Sequence, residues 1–285
     1  MTRSSETELF ERLLIEAVSD NQRGYLRRFV KYTSTRNDPD HGIHIILGQH
    51  KEGRGLADTA SLAWRRKNYG ILDGGSMIGV SACMKAVDAL CSAVENEEMA
   101  LLSCVSLAHI GAIGFHVNEI ANRGFIGIGM LATQPVMSVP PYSSRIVGNN
   151  LISVGVPVKN GGNMILDMSS GAMSVRAWLA SLAAEADAHD SSAQRRDGQA
   201  RTHALEPIGG HKGAALALAI QTLVIATGGG TPPAPPDRLT DHSDNHVLFI
   251  AIKPFSDFLS KAQMTLFDVK NRFPGIHIPG ESQWS

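Results

Sequence analysis

The chain has 285 residues, 43% hydrophobic and 19% charged, enough apolar material for a packed core in one large domain or two ordinary ones. Its 26 basic and 27 acidic residues nearly cancel, so no net charge draws it to nucleic acid or a membrane surface. The three cysteines, Cys83, Cys91 and Cys104, form no CxxC pair; they fit buried apolar positions in a reducing compartment, and no zinc site or disulfide framework is expected.

The N-terminal stretch is polar and lacks the apolar core of a signal peptide. The longest apolar run, Gly213 to Thr227, is interrupted by Gln221 and is too short to span a bilayer. A cytoplasmic protein is expected. In chain order, Leu9 to Val18 and Gly24 to Tyr32 read as helices, Thr33 to Asp40 as a loop, and His41 to Leu47 as a short apolar segment. Gly48 to Asn68 carries no periodic signal. After a turn at Asp73 to Ser76, apolar Val80, Met84, Val87, Cys91 and Val94 recur at spacings of four and three, which predicts an amphipathic helix over Val80 to Glu98. Strand Ala100 to Leu107, helix Ala112 to Asn122 and strand Phe125 to Leu131 form a β–α–β pattern.

Leu151 to Val158 and Met164 to Met168 read as strands around a Lys159–Gly162 turn. Gly171 to Ala188 reads as an alanine-rich helix, followed by a polar stretch to Thr202. Gly213 to Thr227 is apolar on nearly every side and is expected to be a buried helix. Glycines at 228 to 230 stop it, and Thr231 to Pro236 reads as a stiff extended linker. A last strand, His246 to Lys253, and a last helix, Phe255 to Val269, precede a glycine- and proline-rich tail.

Three stretches can carry chemistry. His109 lies between the end of a strand and the start of a helix, where ligands commonly bind; a loop-capping role is the alternative. Gly209-Gly210-His211-Lys212-Gly213 opens a helix with two glycines and a cation, which suits an anion, although a glycine-rich turn with a solvated lysine is the plainer reading. Asp40-His41-Gly42 places an imidazole beside a carboxylate, an arrangement able to donate a proton near neutral pH; a surface histidine in a turn is the plainer reading. No GxGxxG follows a strand, so the usual dinucleotide fingerprint is absent.

Taken together and in order, these motifs resemble the malate/L-lactate dehydrogenase family. That family also holds sulfolactate and ureidoglycolate dehydrogenases, diketogulonate reductase and cyclic imino acid reductases. Asp73-Gly74 with Gly79 is similar to the family's DGDNGxG turn, and residues Ala108 to Phe115 are similar to NHFGAAGY. Phe125-Ile126-Gly127-Ile128 and Thr133 resemble GLIGI and the segment after it. Pro140-Pro141 and Gly148-Asn149-Asn150 resemble PPWG and GTNP. Leu166-Asp167-Met168-Ser169 resembles LDMA/S, Gly209 to Gly213 resembles GGYKG, and Pro279-Gly280-Glu281 resembles the family's PGE tail.

The resemblance implies an α/β, non-Rossmann malate/L-lactate dehydrogenase-like fold with a mixed, largely antiparallel sheet in the cofactor domain. It implies a homodimer with a nicotinamide-cofactor domain at 73–236, and residues 1–72 with 237–285 forming a helical substrate and dimer domain. NADPH or NADH would bind at Ile165, Leu166, Asp167, Met168, Ser169, His211, Lys212, Gly280 and Glu281. The proton donor in SHGxxR maps to His41, with Gln22 to Arg27 as a competing placement that keeps the arginine and loses the histidine; His109 would orient a small-molecule substrate, and Thr133 would contact it. The family's substrate arginine falls on Ile45, so Arg54 or Arg27 would have to supply that cation. Arg176 reads as a surface residue, with a cofactor 2′-phosphate as its alternative partner. The implied activity is reduction of a 2-oxo acid or cyclic imine. The departures at Asp40 and Ile45 leave a homologue without turnover as the second reading, and an anion-binding structural protein as a remoter third.

Overall fold

Three helices open the chain: α1 (Arg3–Ile15), α2 (Asp20–Thr35) and α3 (Ile43–Lys51). In the computed structural model, residues 3–17, 19–35, 42–158, 162–190, 204–228, 230–231 and 245–281 are described. α2 turns Gln22, Tyr25, Leu26, Phe29, Tyr32 and Thr33 inward, at the spacing that keeps one helical face toward a core. Of these, Tyr25, Leu26, Phe29 and Tyr32 join Leu13, Leu14, Ile46, Leu47 and Phe115 in one apolar cluster. α3, read from sequence only as a short apolar segment, spans nine residues and buries Ile46, Leu47 and Gln49. So short a helix completes too few turns to declare its period.

The rest of the chain builds a seven-stranded sheet. Its elements are β1 (Ser61–Arg66), β2 (Tyr69–Asp73), α4 (Gly79–Val94), β3 (Met99–Leu107), α5 (Ile113–Ala121), β4 (Ile126–Ala132), β5 (Pro135–Met137), β6 (Val147–Gly148), β7 (Leu151–Val156), β8 (Met164–Ser169), α6 (Val175–Asp190), α7 (His211–Gly228), β9 (Asn245–Ile252) and α8 (Phe258–Arg272). The strand order is β1-β2-β3-β9-β4-β7-β8, with β5 and β6 paired apart from it. Among the described strands of this sheet, only β2 and β3 pair in parallel. The sheet is therefore mixed and mostly antiparallel, as expected. The β–α–β unit from β3 to β4 is also present, but β9 fills the gap between its two strands.

Alternation along β9 sorts the two faces of the sheet. Val247, Phe249 and Ala251 enter the core under α4 and α5, while Leu248 and Ile250 meet Ile220 and Val224 of α7. α7 thus covers one face of the sheet and the other two helices cover the opposite one. The expectation that α7 is buried all round is corrected: Leu218 and Leu223 on its outer side are 42% and 49% exposed. A cylinder lying on a single sheet face buries only the stripe that touches it. α8 buries none of its residues within the chain.

All three cysteines are free and buried, two on α4 and one on β3. The β1–β2 hairpin had no sequence signal because five of the six residues of β1 face solvent. The expected helix from Gly171 begins later, at Val175. The centre of the expected turn at 159–161, most of the polar stretch at 191–203, and residues 232–236 of the expected linker lie outside the described residues.

Candidate active site

The loop between β3 and α5, residues 108–112, is tied at three successive positions. The His109 carbonyl accepts from Gln49 Nε2 at 2.6 Å. The Ile110 carbonyl accepts from His116 Nε2 at 2.8 Å. The Gly111 amide donates to His109 Nδ1 at 2.9 Å. An amide can only donate, so Nδ1 of His109 holds a lone pair and the neutral ring carries its proton on Nε2. The same reasoning fixes His116: a carbonyl only accepts, so Nε2 holds the proton and Nδ1 accepts from the Tyr25 hydroxyl at 2.7 Å. Burial pushes the His116 imidazole down to about 4 and drives the Tyr25 phenol well above its ordinary value, so both are neutral at physiological pH.

Two close approaches shape this corner. A Cβ on Gly79, at the first turn of α4, would lie 2.5 Å from the His109 carbonyl oxygen. A Cβ on Gly114 would lie 2.5 Å from Asp167 Oδ2. With hydrogen there instead, the Gly114 amide donates to Oδ2 at 3.1 Å. A carboxylate thus sits on the N-terminus of α5, where the helix dipole favours it. The free anion-binding helix end read from the sequence near His109 is thereby occupied by the chain's own Asp167.

These elements enclose a cleft of about 440 Å³, within the range of small-molecule sites. His44, His109, Thr133, Gln134, Asn149, Asp167, Met168, Ser169, Arg176 and Asn245 supply its polar or adaptable lining, and Leu131, Val136, Leu151, Val175 and Leu179 an apolar wall. Among the described lining residues, Asp167 is the one carboxylate and Arg176 the one permanent cation. Thr133 is held by its amide, which donates to Asn150 Oδ1 at 2.9 Å; Asn150 Nδ2 in turn donates to the Ala217 carbonyl of α7 at 2.8 Å.

Of the residues singled out in the sequence, the cleft brings together His109, Thr133, Asp167, Met168 and Ser169. Ile165 is buried one turn of the pleat away, and the Leu166 carbonyl accepts from Ser153 Oγ at 2.7 Å. The other two expected cofactor segments meet opposite ends of β8. At one end the Ile165 amide donates to Pro279 O at 3.0 Å, beside Gly280. At the other the Ile208 amide donates to Ser170 O at 2.9 Å, and Gly213 donates back to Ile208 O at 2.9 Å. Five residue steps along the strand separate these anchor points, about 17 Å. His211 and Lys212 are exposed beyond the cleft's described lining. Glu281 accepts from the Ile278 amide at 3.2 Å and pairs with Lys270 of α8.

Arg54 donates to the carbonyls of Gly75 and Met77, at 3.1 and 3.4 Å, and is not among the lining residues. Arg27 pairs with Glu11 at the surface. His41, with Asp40, lies outside the described residues. Gln49, Tyr25 and His116 carry no local sequence signal of a site role; nor was His44 singled out, although it lies on α3, three residues after position 41, and lines the cleft. Arg176, read mainly as a surface residue, is exposed yet also lines the cleft. Among the described residues no cluster of three or more histidine, cysteine or acidic groups is placed to hold a metal, and no helix is long and apolar enough to cross a membrane.

Comparison with known proteins gives this geometry its context. The chain is 29% identical over 232 residues to an L-sulfolactate dehydrogenase of Methanocaldococcus jannaschii, a match covering 74% of this chain and 66% of that one. It is 29% identical over 162 residues to a ureidoglycolate dehydrogenase (NAD(+)) of Escherichia coli, over 54% and 45% of the two chains. The match to the first spans just under two-thirds of that relative's length. In fold, the chain is similar to the sulfolactate dehydrogenase of Methanocaldococcus jannaschii, with TM-score 0.77, 22% identity and coverage of 98% and 88%. It is equally similar to delta1-piperideine-2-carboxylate reductase of Pseudomonas syringae, with TM-score 0.77, 18% identity and coverage of 97% and 89%. Residues 18–285 match the malate/L-lactate dehydrogenase family model, and the chain belongs to that family.

Proposed function

We propose that this chain is a NADH- or NADPH-dependent reductase of a small 2-oxo acid or cyclic imino acid, with its chemistry in the cleft beneath His109. The observation that carries the proposal is the convergence on that one cleft of His109, singled out by its position, with Thr133 and Asp167, implied by the family resemblance. The residues present fit a nicotinamide, because the apolar wall suits a flat ring while Asn149 and Asp167 offer polar partners to a carboxamide edge. The reduced cofactor supplies the hydride. In this reading the Ile165–Ser169 strand, the His211–Lys212 turn and the Gly280–Glu281 tail hold the rest of the dinucleotide.

The chain's own side chains bind, orient and protonate. His109 presents Nε2–H as a donor to the substrate's oxygen or nitrogen, and Thr133 contacts the same molecule. His41 gives up the proton as charge develops there. Arg176, in preference to Arg54, takes the substrate carboxylate, since it is the permanent cation among the described lining residues. Residues 73–236 serve the cofactor, and 1–72 with 237–285 bring the helical unit and a dimer surface. That surface is α8 and its flanks, where Met264, Phe267 and Phe273 are 70%, 56% and 62% exposed in the single chain; a second copy covers it. The protein works in the cytoplasm.

The test mixes the protein with NADH or NADPH and, in turn, pyruvate, oxaloacetate, sulfopyruvate and piperideine-2-carboxylate, following loss of the reduced cofactor's absorbance. Turnover of any of these supports the reading. Tight cofactor binding with no turnover across the panel favours a homologue without catalysis, a reading motivated by Ile45 at the family's arginine position; absence of nucleotide binding overturns both.

A further inference from the structure

The polar ties behind His109 have a pattern of their own. Gln49 is buried, and both ends of its amide are committed: Oε1 accepts from the Gly79 amide at 2.8 Å, so Nε2 faces the His109 carbonyl. Tyr25 and His116 are fully buried in an aromatic cluster, with Tyr25 and Phe115 edge to face at 4.9 Å. Their hydrogen bonds run from Tyr25 to His116 to the Ile110 carbonyl and end there. A backbone carbonyl has no proton to pass on, so this chain of bonds is not a relay into the cleft. Burying a phenol and an imidazole beside Phe29 and Phe115, and a carboxamide between Gly79 and His109, costs desolvation that apolar side chains would avoid. Satisfied buried polar groups instead fix one geometry.

We propose that Gln49, Tyr25 and His116 are positioning residues for His109: together they hold residues 109–111 so that the Gly111 amide occupies Nδ1 and Nε2–H points its proton at bound substrate. The kinetic part of this inference rests on the reductase reading; the structural part does not. Gln49 lies on α3 and Tyr25 on α2, so the N-terminal helices act on the imidazole through these contacts although neither side chain lines the cleft. Misplacement of a substrate-orienting group by a fraction of an ångström lowers turnover while leaving remote cofactor contacts in place.

The test is long-range proton–nitrogen NMR of histidine-labelled protein without cofactor, with the His109 signals assigned from a His109→Gln variant. Tyr25→Phe removes only the hydroxyl and keeps the ring, and Gln49→Met removes the carboxamide at similar volume. The control is Gln22→Met, since Gln22 is equally buried on α2 but donates to the Leu56 carbonyl at 2.8 Å, away from the loop. In the unmodified protein His109 shows a single Nε2–H form. In Tyr25→Phe and Gln49→Met its nitrogens move toward the average of two tautomers, and kcat falls about tenfold with the cofactor KM unchanged. Gln22→Met leaves the His109 signals and kcat in place even if it melts earlier. Unchanged His109 signals in Tyr25→Phe, or an equal change in the control, overturn the inference. Because the NMR readout needs no turnover, a protein that reduces nothing defeats the reductase reading without deciding this one.

Discussion

Gly114→Ala tests the contact that builds the floor of the cleft. The added methyl would sit 2.5 Å from Asp167 Oδ2 and 2.9 Å from both its Cβ and its Cγ, so it drives the carboxylate off the Gly114 amide. Loss of a hydrogen bond to a charged group costs about 1.5–3 kcal/mol, and overpacking a filled site adds about 1–3 kcal/mol. The single variant is therefore expected to lose about 3–5 kcal/mol of stability. Asp167→Ala removes the same hydrogen bond together with two of the three clashing atoms. In that background Gly114→Ala has little left to disrupt and should cost about 1 kcal/mol, a coupling of about 2–4 kcal/mol between the two sites. Chemical denaturation of the four proteins measures it directly. Equal costs of Gly114→Ala with and without the carboxylate would refute the reasoning, and would place the constraint in the glycine backbone.

Three further outcomes are expected. Arg176→Met should raise KM for a carboxylate substrate about tenfold or more while leaving affinity for NADH nearly unchanged; a loss confined to NADPH binding would instead give Arg176 to the cofactor phosphate. Met264→Glu with Phe267→Glu on α8 should convert the proposed dimer to monomer in sedimentation velocity without unfolding the chain, and a sedimentation coefficient that the substitutions leave unchanged would remove this face as a dimer surface. His116, neutral and buried with its pKa lowered to about 4, is protonated more readily in the unfolded chain. Its contribution is complete above pH 6.5 and is lost as pH falls from there toward 4, about 3 kcal/mol in all. His116→Asn should flatten that part of the stability–pH curve, and an unaltered slope would remove His116 as its source.

Strong periodicity made part of the fold legible. The inward positions of α4 read from the sequence, Val80, Met84, Val87, Cys91 and Val94, are all buried, because a long helix against a sheet must show its stripe. β1 left no trace since nearly all of it is solvent-exposed, and α3 is too short to show a period. At the site, His109 was visible as a local pattern and Thr133 and Asp167 through the family resemblance, and all three line one cleft. Gln49 and Tyr25 were not, because their partners lie 60 and 91 residues away, and nothing in a local stretch signals such a pairing. The outer face of α7 misled for a related reason: its composition reports apolarity, while burial depends on how many neighbours the fold provides.

A crystal structure of the protein with NADPH and a non-reducible carboxylate analogue reaches the central claim most directly. The nicotinamide ring is expected in the cleft beside Asp167 and Asn149, with the analogue's oxygen within hydrogen-bonding distance of His109 Nε2 and its carboxylate on Arg176. A nucleotide bound elsewhere on the chain, or a ring with no imidazole near its reactive carbon, would contradict that claim.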